Sequence, residues 1–332
     1  MPSVDVLILG ASGYGGGELL RWLANHPAVA SIRGTARSHA GKPFHAQHPN
    51  LRGLLEGNFE ATPDWAALAE SDTPVLFAAL PHGELARLWS EFQQEWDRLG
   101  LTNRLTVIDL SADFRLDPNW VYGLVDWHPE RMQDAKRIAN PGCFATALQL
   151  ALLPLAKWQP AFLAVTAATG SSGSGAAPSD TTHHPIRAND FRAYKMLGHQ
   201  HEAEVLRTLA TEGWVAPLSF VPQSAPMVRG IFATAQFPLP SGIEASALRD
   251  LYEDYYKGRF FLRIMEGSPR VAATTGSAFA DLGVAAQHGH GVVMVALDNL
   301  GKGMAAQAVQ NINLALGLPE WTGLKVGGLY PG

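Results

Sequence analysis

The chain has a single cysteine, Cys143, in 332 residues. One thiol forbids an intrachain disulfide and any zinc site built on paired cysteines, so the framework of a secreted disulfide-rich protein is absent. Charged residues are scarce at 17%, and the net charge of −5 carries no basic excess of the kind that nucleic-acid and anionic-membrane binders show. No apolar run approaches the roughly 20 residues that cross a bilayer. The opening MPSVDVLILGASGYGG lacks the basic-then-apolar pattern of a secretory signal. These absences lead to the expectation of a cytoplasmic protein without nucleic-acid or membrane partners. Hydrophobic residues at 47% suit a folded chain, and its length accommodates two domains.

What is present begins with VDVLILG (4–10), a short run of branched apolar residues that predicts a parallel strand buried on both faces. Further strands are predicted over 30–36, 73–80 and 104–111, with helical patterns before 73 and after 83. Strands alternating with helices imply a doubly wound parallel sheet, hence an α/β fold. The second half has strand patterns at 161–169, 230–239 and 291–300, a Gly/Ser-rich loop at 170–185 and a patterned helix at 301–318. In that helix Met304, Ala308, Ile312 and Leu316 share one face.

GASGYGGGE (10–18) joins the first strand to a helix. In that setting Gly10, Gly13 and Gly16 let the chain turn sharply and bring backbone close to a pyrophosphate at the helix N-terminus, with Ser12, Tyr14 and Gly15 in the same turn. The second strand ends in GTARSHAGK, which offers Arg37 and Ser38 and no carboxylate. A ribose 2′-phosphate, and so NADP(H), is favoured over NAD; a solvated surface charge is the plainer account of Arg37.

Cys143 follows Asn140-Pro141-Gly142 and opens a helical pattern. The first turn of a helix favours a thiolate nucleophile, whereas cysteines in general are buried spacers; position alone leaves both open. YKMLGHQHEAEV supplies His199 and His201 just before another helix. A metal pair would need further ligands that no HExxH or carboxylate cluster provides, so an acid–base role is expected and no metal.

Taken in order, GASGYGGGELLR, LPHG (80–83), DLSADFRL (109–116), NPGCFAT (140–146), GSSGSG (170–175), AYKMLGHQHEAEV (193–205), VRGI (228–231) and DNLGKGMAAQAVQN (298–311) resemble the N-acetyl-γ-glutamyl-phosphate reductases, within the aspartate-semialdehyde dehydrogenase-like group. The resemblance implies a Rossmann-type NADP-binding domain over 1–142, completed by a C-terminal helix within 301–332. It further implies a catalytic α+β domain with a mixed sheet over 143–300. By position it makes Cys143 the nucleophile and His199 the acid–base residue, with His201 close by. It puts Pro81, Gly83 and Asn299 near the nicotinamide. Backbone N–H groups of Ser172 and Gly173 would hold phosphate or the ribose side of the cofactor, and Ser111, Arg115, Arg192 and Tyr194 would grip substrate.

The chain departs from the family pattern at Gln200, where arginine is usual, and at Asp126, where glutamate is usual. The implied partners are a small acyl phosphate and further copies of the chain, as a dimer or tetramer. The alternatives are N-succinylglutamyl phosphate, or an aminoadipyl phosphate carried on an amino-group carrier protein. A non-catalytic NADP-binding sensor is the alternative of another class.

Overall fold

The computed structural model describes residues 2–331. The chain divides into two compact units, one formed by Met1–Pro141 with Met304–Lys325 and the other by Gly142–Gly303 with Val326–Gly332.

The first unit is built on seven strands: β1 (Val4–Leu9), β2 (Val29–Thr35), β3 (Phe59–Glu60), β4 (Thr73–Ala78), β5 (Thr106–Asp109), β6 (Val121–Tyr122) and β7 (Arg137–Ala139). They lie in the order β3-β2-β1-β4-β5-β7-β6, every pair parallel. Val6 to Leu9, Val75 to Ala78 and Val107 to Ile108 are fully or almost fully buried, as a sheet covered on both faces requires. Helix α1 (Tyr14–Leu23) follows β1, and α2 (Glu84–Arg98) follows β4. Under α2, Trp96 packs edge-on to Trp65 and Trp89, and Phe114 stacks on Trp120 at 4.3 Å between ring centres. Each such pair contributes about 0.5–1.5 kcal/mol beyond its buried area.

The C-terminal helix differs from the amphipathic expectation. Gly301–Ala305 winds as a π turn, and only then does α-helical winding begin, labelled α6 below (Ala306–Ala315). Gln307, Gln310, Asn311 and Asn313 are buried with the apolar face. The reason is pairing inside the fold: Asn311 Nδ2 donates to Gly123 O at 2.9 Å and Asn140 Oδ1 at 3.1 Å, and Asn313 Nδ2 donates to the carbonyls of Glu320 and Thr322. A polar side chain whose hydrogen bonds are met inside can be buried cheaply.

The second unit holds β8 (Leu163–Thr169), β9 (Arg192–Ala193), β10 (Leu218–Ser224), β11 (Ile231–Pro238), β12 (Leu262–Met265), β13 (Ala280–Gln287) and β14 (His290–Leu297), in the order β12-β13-β14-β11-β8-β10-β9. β12–β13 and β8–β10 are parallel and the other pairs antiparallel, so the sheet is mixed. Burial alternates along β8 and β11: Leu163, Val165, Ala167, Ala233 and Ala235 point inward, while Thr166 and Gln236 are exposed. One face is therefore covered, by α3 (Cys143–Leu152), which packs on β11 and β14, and the other is open within the chain. Helices α4 (His201–Thr211) and α5 (Ala245–Tyr255) complete the unit. Among the described residues no helix is long and apolar enough to cross a membrane.

Candidate active site

In the first unit, the turn after β1 is shaped by backbone proximity. Gly10 has φ +73, and a Cβ there would lie 2.4 Å from Ala79 O; a Cβ on Gly16 would lie 2.5 Å from Ala11 Cα. Neither position accepts a side chain. Gly13 is the N-cap of α1, makes no side-chain cap, and no acidic residue occupies the first turn. Ser12 and Gly15 are half-buried and Tyr14 is exposed at the mouth. The open helix N-terminus and the glycine cradle fit a pyrophosphate. His48 fastens the turn from behind: its Nε2–H donates to Ala11 O at 2.8 Å. No sequence pattern marked this residue.

Arg37 and Ser38 are exposed just past β2, where Ser38 Oγ pairs with His39 Nδ1. Pro81 and Gly83 are exposed after β4; Gly83 takes φ +86 as the N-cap of α2, and its N–H donates to Asp113 Oδ1. Ser111 and Arg115 are held by hydrogen bonds within the first unit. Ser111 Oγ donates to Asp109 at 2.9 Å, and Arg115 donates through Nε to Asn140 O and through Nη2 to Leu110 O. Both are buried, and both act on backbone and neighbours within the unit.

In the second unit, Cys143 is the first residue of α3, half-buried, with Gly142 in extended conformation as N-cap. Pro-Gly ends the incoming strand segment, so the thiol sits at the helix mouth. Glu204, on α4, accepts the Gly142 N–H at 3.0 Å, and Gln149 of α3 donates to Thr208 Oγ1 at 2.8 Å and to Glu204 O. The HxHEAE segment and the cysteine helix are thereby locked together. Glu204, 4% exposed, was visible in HEAEV but had no partner in sequence terms. A Cβ built on Gly303 would fall 2.9 Å from Cys143 Cβ, so backbone passes close behind the thiol.

His199 and His201 are both buried, with rings 4.7 Å apart and both edge-on to Phe144, the neighbour of Cys143. His199 Nδ1 accepts the His201 backbone N–H at 3.2 Å. The proton of the neutral ring therefore stands on Nε2. Burial, with the nearby Lys195 charge, lowers His199 to about 4, so the ring is neutral at physiological pH. Lys195 and Leu197 both take left-handed φ, at 45° and 55°, a strained entry to the histidine segment of the kind that collects at functional sites. Tyr194 lies edge-on to His199 at 5.9 Å, and burial together with the Cys143 charge pushes its phenol up to about 12. Arg192 forms an ion pair with Asp190 at 3.1 Å.

Asn299 Oδ1 accepts from Gly230 N at 2.7 Å, and its Nδ2 donates to Ser172 Oγ at 3.0 Å. The expectation that Ser172 and Gly173 offer free N–H groups is corrected: Gly173 N–H donates to Gly170 O within a 3₁₀ turn (Ser171–Ser174), and Ser172 N–H donates across to Val228 O outside it. Asp298 beside it takes two bonds from Arg229, at 2.7 and 3.2 Å, and one from Gly276 N. Among the described residues no three His, Cys, Asp or Glu side chains gather to hold a metal ion.

Two family models match the chain: the semialdehyde dehydrogenase NAD-binding domain over residues 5–135 and the semialdehyde dehydrogenase dimerisation domain over 143–299. An N-acetyl-gamma-glutamyl-phosphate reductase of Methanosarcina barkeri is 40% identical, with 96% of each chain covered. That of Salinispora arenicola is 41% identical, with 99% of each covered. The chain belongs to the N-acetyl-gamma-glutamyl-phosphate reductase family. Solved structures share the fold at lower identity. Aspartate semialdehyde dehydrogenase II of Vibrio cholerae, complexed with ASA, matches with a TM-score of 0.71 and 18% identity over 95% of this chain and 98% of that one. The Candida albicans aspartate semialdehyde dehydrogenase with NADP matches at 0.65 and 14%, over 93% and 99%. The reductase-family chain thus pairs a parallel dinucleotide-type sheet with a mixed sheet, the α/β architecture expected from strand–helix alternation.

Proposed function

We propose that the protein reduces N-acetyl-γ-glutamyl phosphate to the semialdehyde with release of inorganic phosphate, in arginine biosynthesis, through a thioester on Cys143. The observation that carries this reading is the thiol at the start of α3 in one unit with a buried, neutral His199 whose Nδ1 is already engaged. Relatives of about 40% identity that bear the reductase name support the choice of substrate.

The Cys143 sulfur attacks the carbonyl carbon of the acyl phosphate, the C–O bond to phosphate breaks, and a thioester remains on the enzyme. Gly10–Gly16 would hold NADPH, with Arg37 and Ser38 available to its 2′-phosphate, and the bound cofactor would supply the hydride that takes the thioester to the aldehyde level. His199 Nε2–H donates to the oxyanion as it forms, and collapse of the tetrahedral adduct returns the thiolate. A neutral imidazole stabilises that charge without first needing a proton from solvent. Tyr194, protonated across the physiological range, lies edge-on to the His199 ring. His201 fixes His199 through its backbone N–H; Glu204 fixes Gly142. Asn299 braces the turn that holds Ser172 and Gly173.

Homo-oligomer formation, as a dimer or tetramer, fits the dimerisation name of the model over 143–299 and the open face of the mixed sheet. A cytoplasmic setting keeps the lone thiol reduced. Carrier-bound aminoadipyl phosphate would use the same steps, and a substrate panel separates the two. The decisive assay follows phosphate-dependent oxidation of N-acetylglutamate semialdehyde, with NADP and NAD side by side. Cys143→Ala should abolish turnover and leave NADPH binding intact. Near-normal turnover of that variant would refute the thioester route.

A further inference from the structure

Arg187 Nε, Thr169 Oγ1 and Ser224 Oγ are buried polar atoms of the second unit with no hydrogen-bond partner. Their side chains belong to residues only 9%, 7% and 2% exposed. Thr169 and Ser224 stand opposite each other in the parallel β8–β10 register, at the C-terminal ends of both strands, so they share one face of the sheet. Arg187 reaches the same strand end, donating through Nη2 to Thr169 O at 3.2 Å. Thr169 Oγ1 would lie 3.3 Å from a Cβ on Gly173, which places it on the side of the Ser172–Asn299 turn.

Charge at this point is unbalanced. Asp190 is within electrostatic reach of Arg187, but its carboxylate is paired with Arg192. Tyr194, edge-on to His199, is within electrostatic reach of both Arg187 and Cys143. A buried guanidinium Nε and two hydroxyls that lack partners carry a desolvation cost that folding does not recover. An oxyanion would satisfy all three groups, and arginine is the side chain best shaped for it.

We propose that Arg187, Thr169 and Ser224 form an oxyanion subsite beside Cys143 that takes one anionic group of the substrate, its phosphate or its carboxylate. The subsite rests on the acyl-phosphate reading and deepens it. It assigns substrate recognition to Arg187, where the resemblance points to Arg192 and Arg115. Arg187 is not a simple helix or interface charge, because it is buried with one backbone carbonyl as its hydrogen-bond partner.

The test compares wild type, Arg187→Gln and Arg187→Lys in the oxidative direction, with KM measured separately for inorganic phosphate and for N-acetylglutamate semialdehyde. One of the two KM values should rise about tenfold or more in Arg187→Gln, with partial recovery in Arg187→Lys. A rise for phosphate assigns the subsite to the phosphoryl group, and a rise for the semialdehyde to its carboxylate. Both values unchanged within about twofold, in variants that melt like wild type, would overturn the proposal. If Arg187→Gln does not fold, the Thr169→Val/Ser224→Ala double variant must show the same KM rise. A readout independent of turnover is protection of Cys143 from iodoacetamide by inorganic phosphate or N-acetylglutamate. Wild type should be protected and Arg187→Gln should not; an unprotected wild type refutes the subsite. Protection without any phosphate-dependent turnover would instead refute the acyl-phosphate reading and leave the subsite standing.

Discussion

Glu204 accepts the backbone N–H of Gly142 at 3.0 Å, one residue before Cys143 and 62 positions earlier in the chain. This bond anchors the residue that caps the cysteine helix, so its loss acts on the thiol without touching it. Glu204→Ala leaves a buried N–H orphaned and should cost about 1–3 kcal/mol of stability. Urea unfolding should register that loss, and kcat should fall with it. Glu204→Gln, which keeps an acceptor, should recover most of both.

His199→Asn should lower kcat by about 10²–10⁴-fold, with NADPH affinity unchanged. If His201→Asn does this and His199→Asn does not, the histidine roles are reversed. Steady-state kinetics with both variants decides it.

The folded protein holds His199 at about 4 against an ordinary 6.5, through burial and the Lys195 charge. Between those values the unfolded chain binds a proton that the folded chain refuses. Stability from this group is complete above about pH 6.5 and is lost as pH falls towards 4. His199→Gln should therefore lose less stability between pH 7 and pH 4.5, measured by urea midpoints. Burial also lowers His26 and His48, so part of the acid sensitivity should persist in the variant.

Gly303 has no room for a side chain against Cys143. Gly303→Ala should displace the thiol and reduce kcat by about 10–100-fold, since small misplacements at a reacting centre are costly. The rate of Cys143 alkylation should change in parallel. Unchanged kinetics would mean that backbone behind the thiol yields freely.

Arg37, exposed beyond β2, is proposed to meet a 2′-phosphate. Arg37→Ser should raise KM for NADPH about tenfold and leave KM for NADH nearly unchanged, as loss of one charge-assisted contact predicts. An equal effect on both cofactors would return Arg37 to the status of a surface charge.

Local chemistry explains which parts were legible beforehand. β1 is a mostly apolar run rich in branched residues, and the glycines after it serve a turn that its own neighbours define. β10 escaped because Pro222 interrupts LSFVPQS, yet that strand lies beside β9 near the sheet edge and Pro222 O accepts the Tyr194 N–H. β13 escaped through Gly283, where a Cβ would strike Gly267 O at 2.2 Å; glycine there marks a close backbone approach, which resembles a loop signal in sequence. In α6 only the apolar stripe was legible, because the partners of its polar residues, Gly123, Asn140 and the Glu320 and Thr322 carbonyls, are set by the fold.

By itself the amino-acid sequence determined the strand–glycine–helix turn, the thiol at a helix start and the histidine pair before a second helix. Each depends on residues within a few positions, where propensity and turn geometry act. Only tertiary structure decided that Glu204 holds Gly142, that His199 carries its proton on Nε2, that Arg115 turns inward and that Arg187 is buried beside Thr169. Hydrogen bonds and desolvation across dozens of residues have no periodicity to read, so those relationships exist only once the chain has packed.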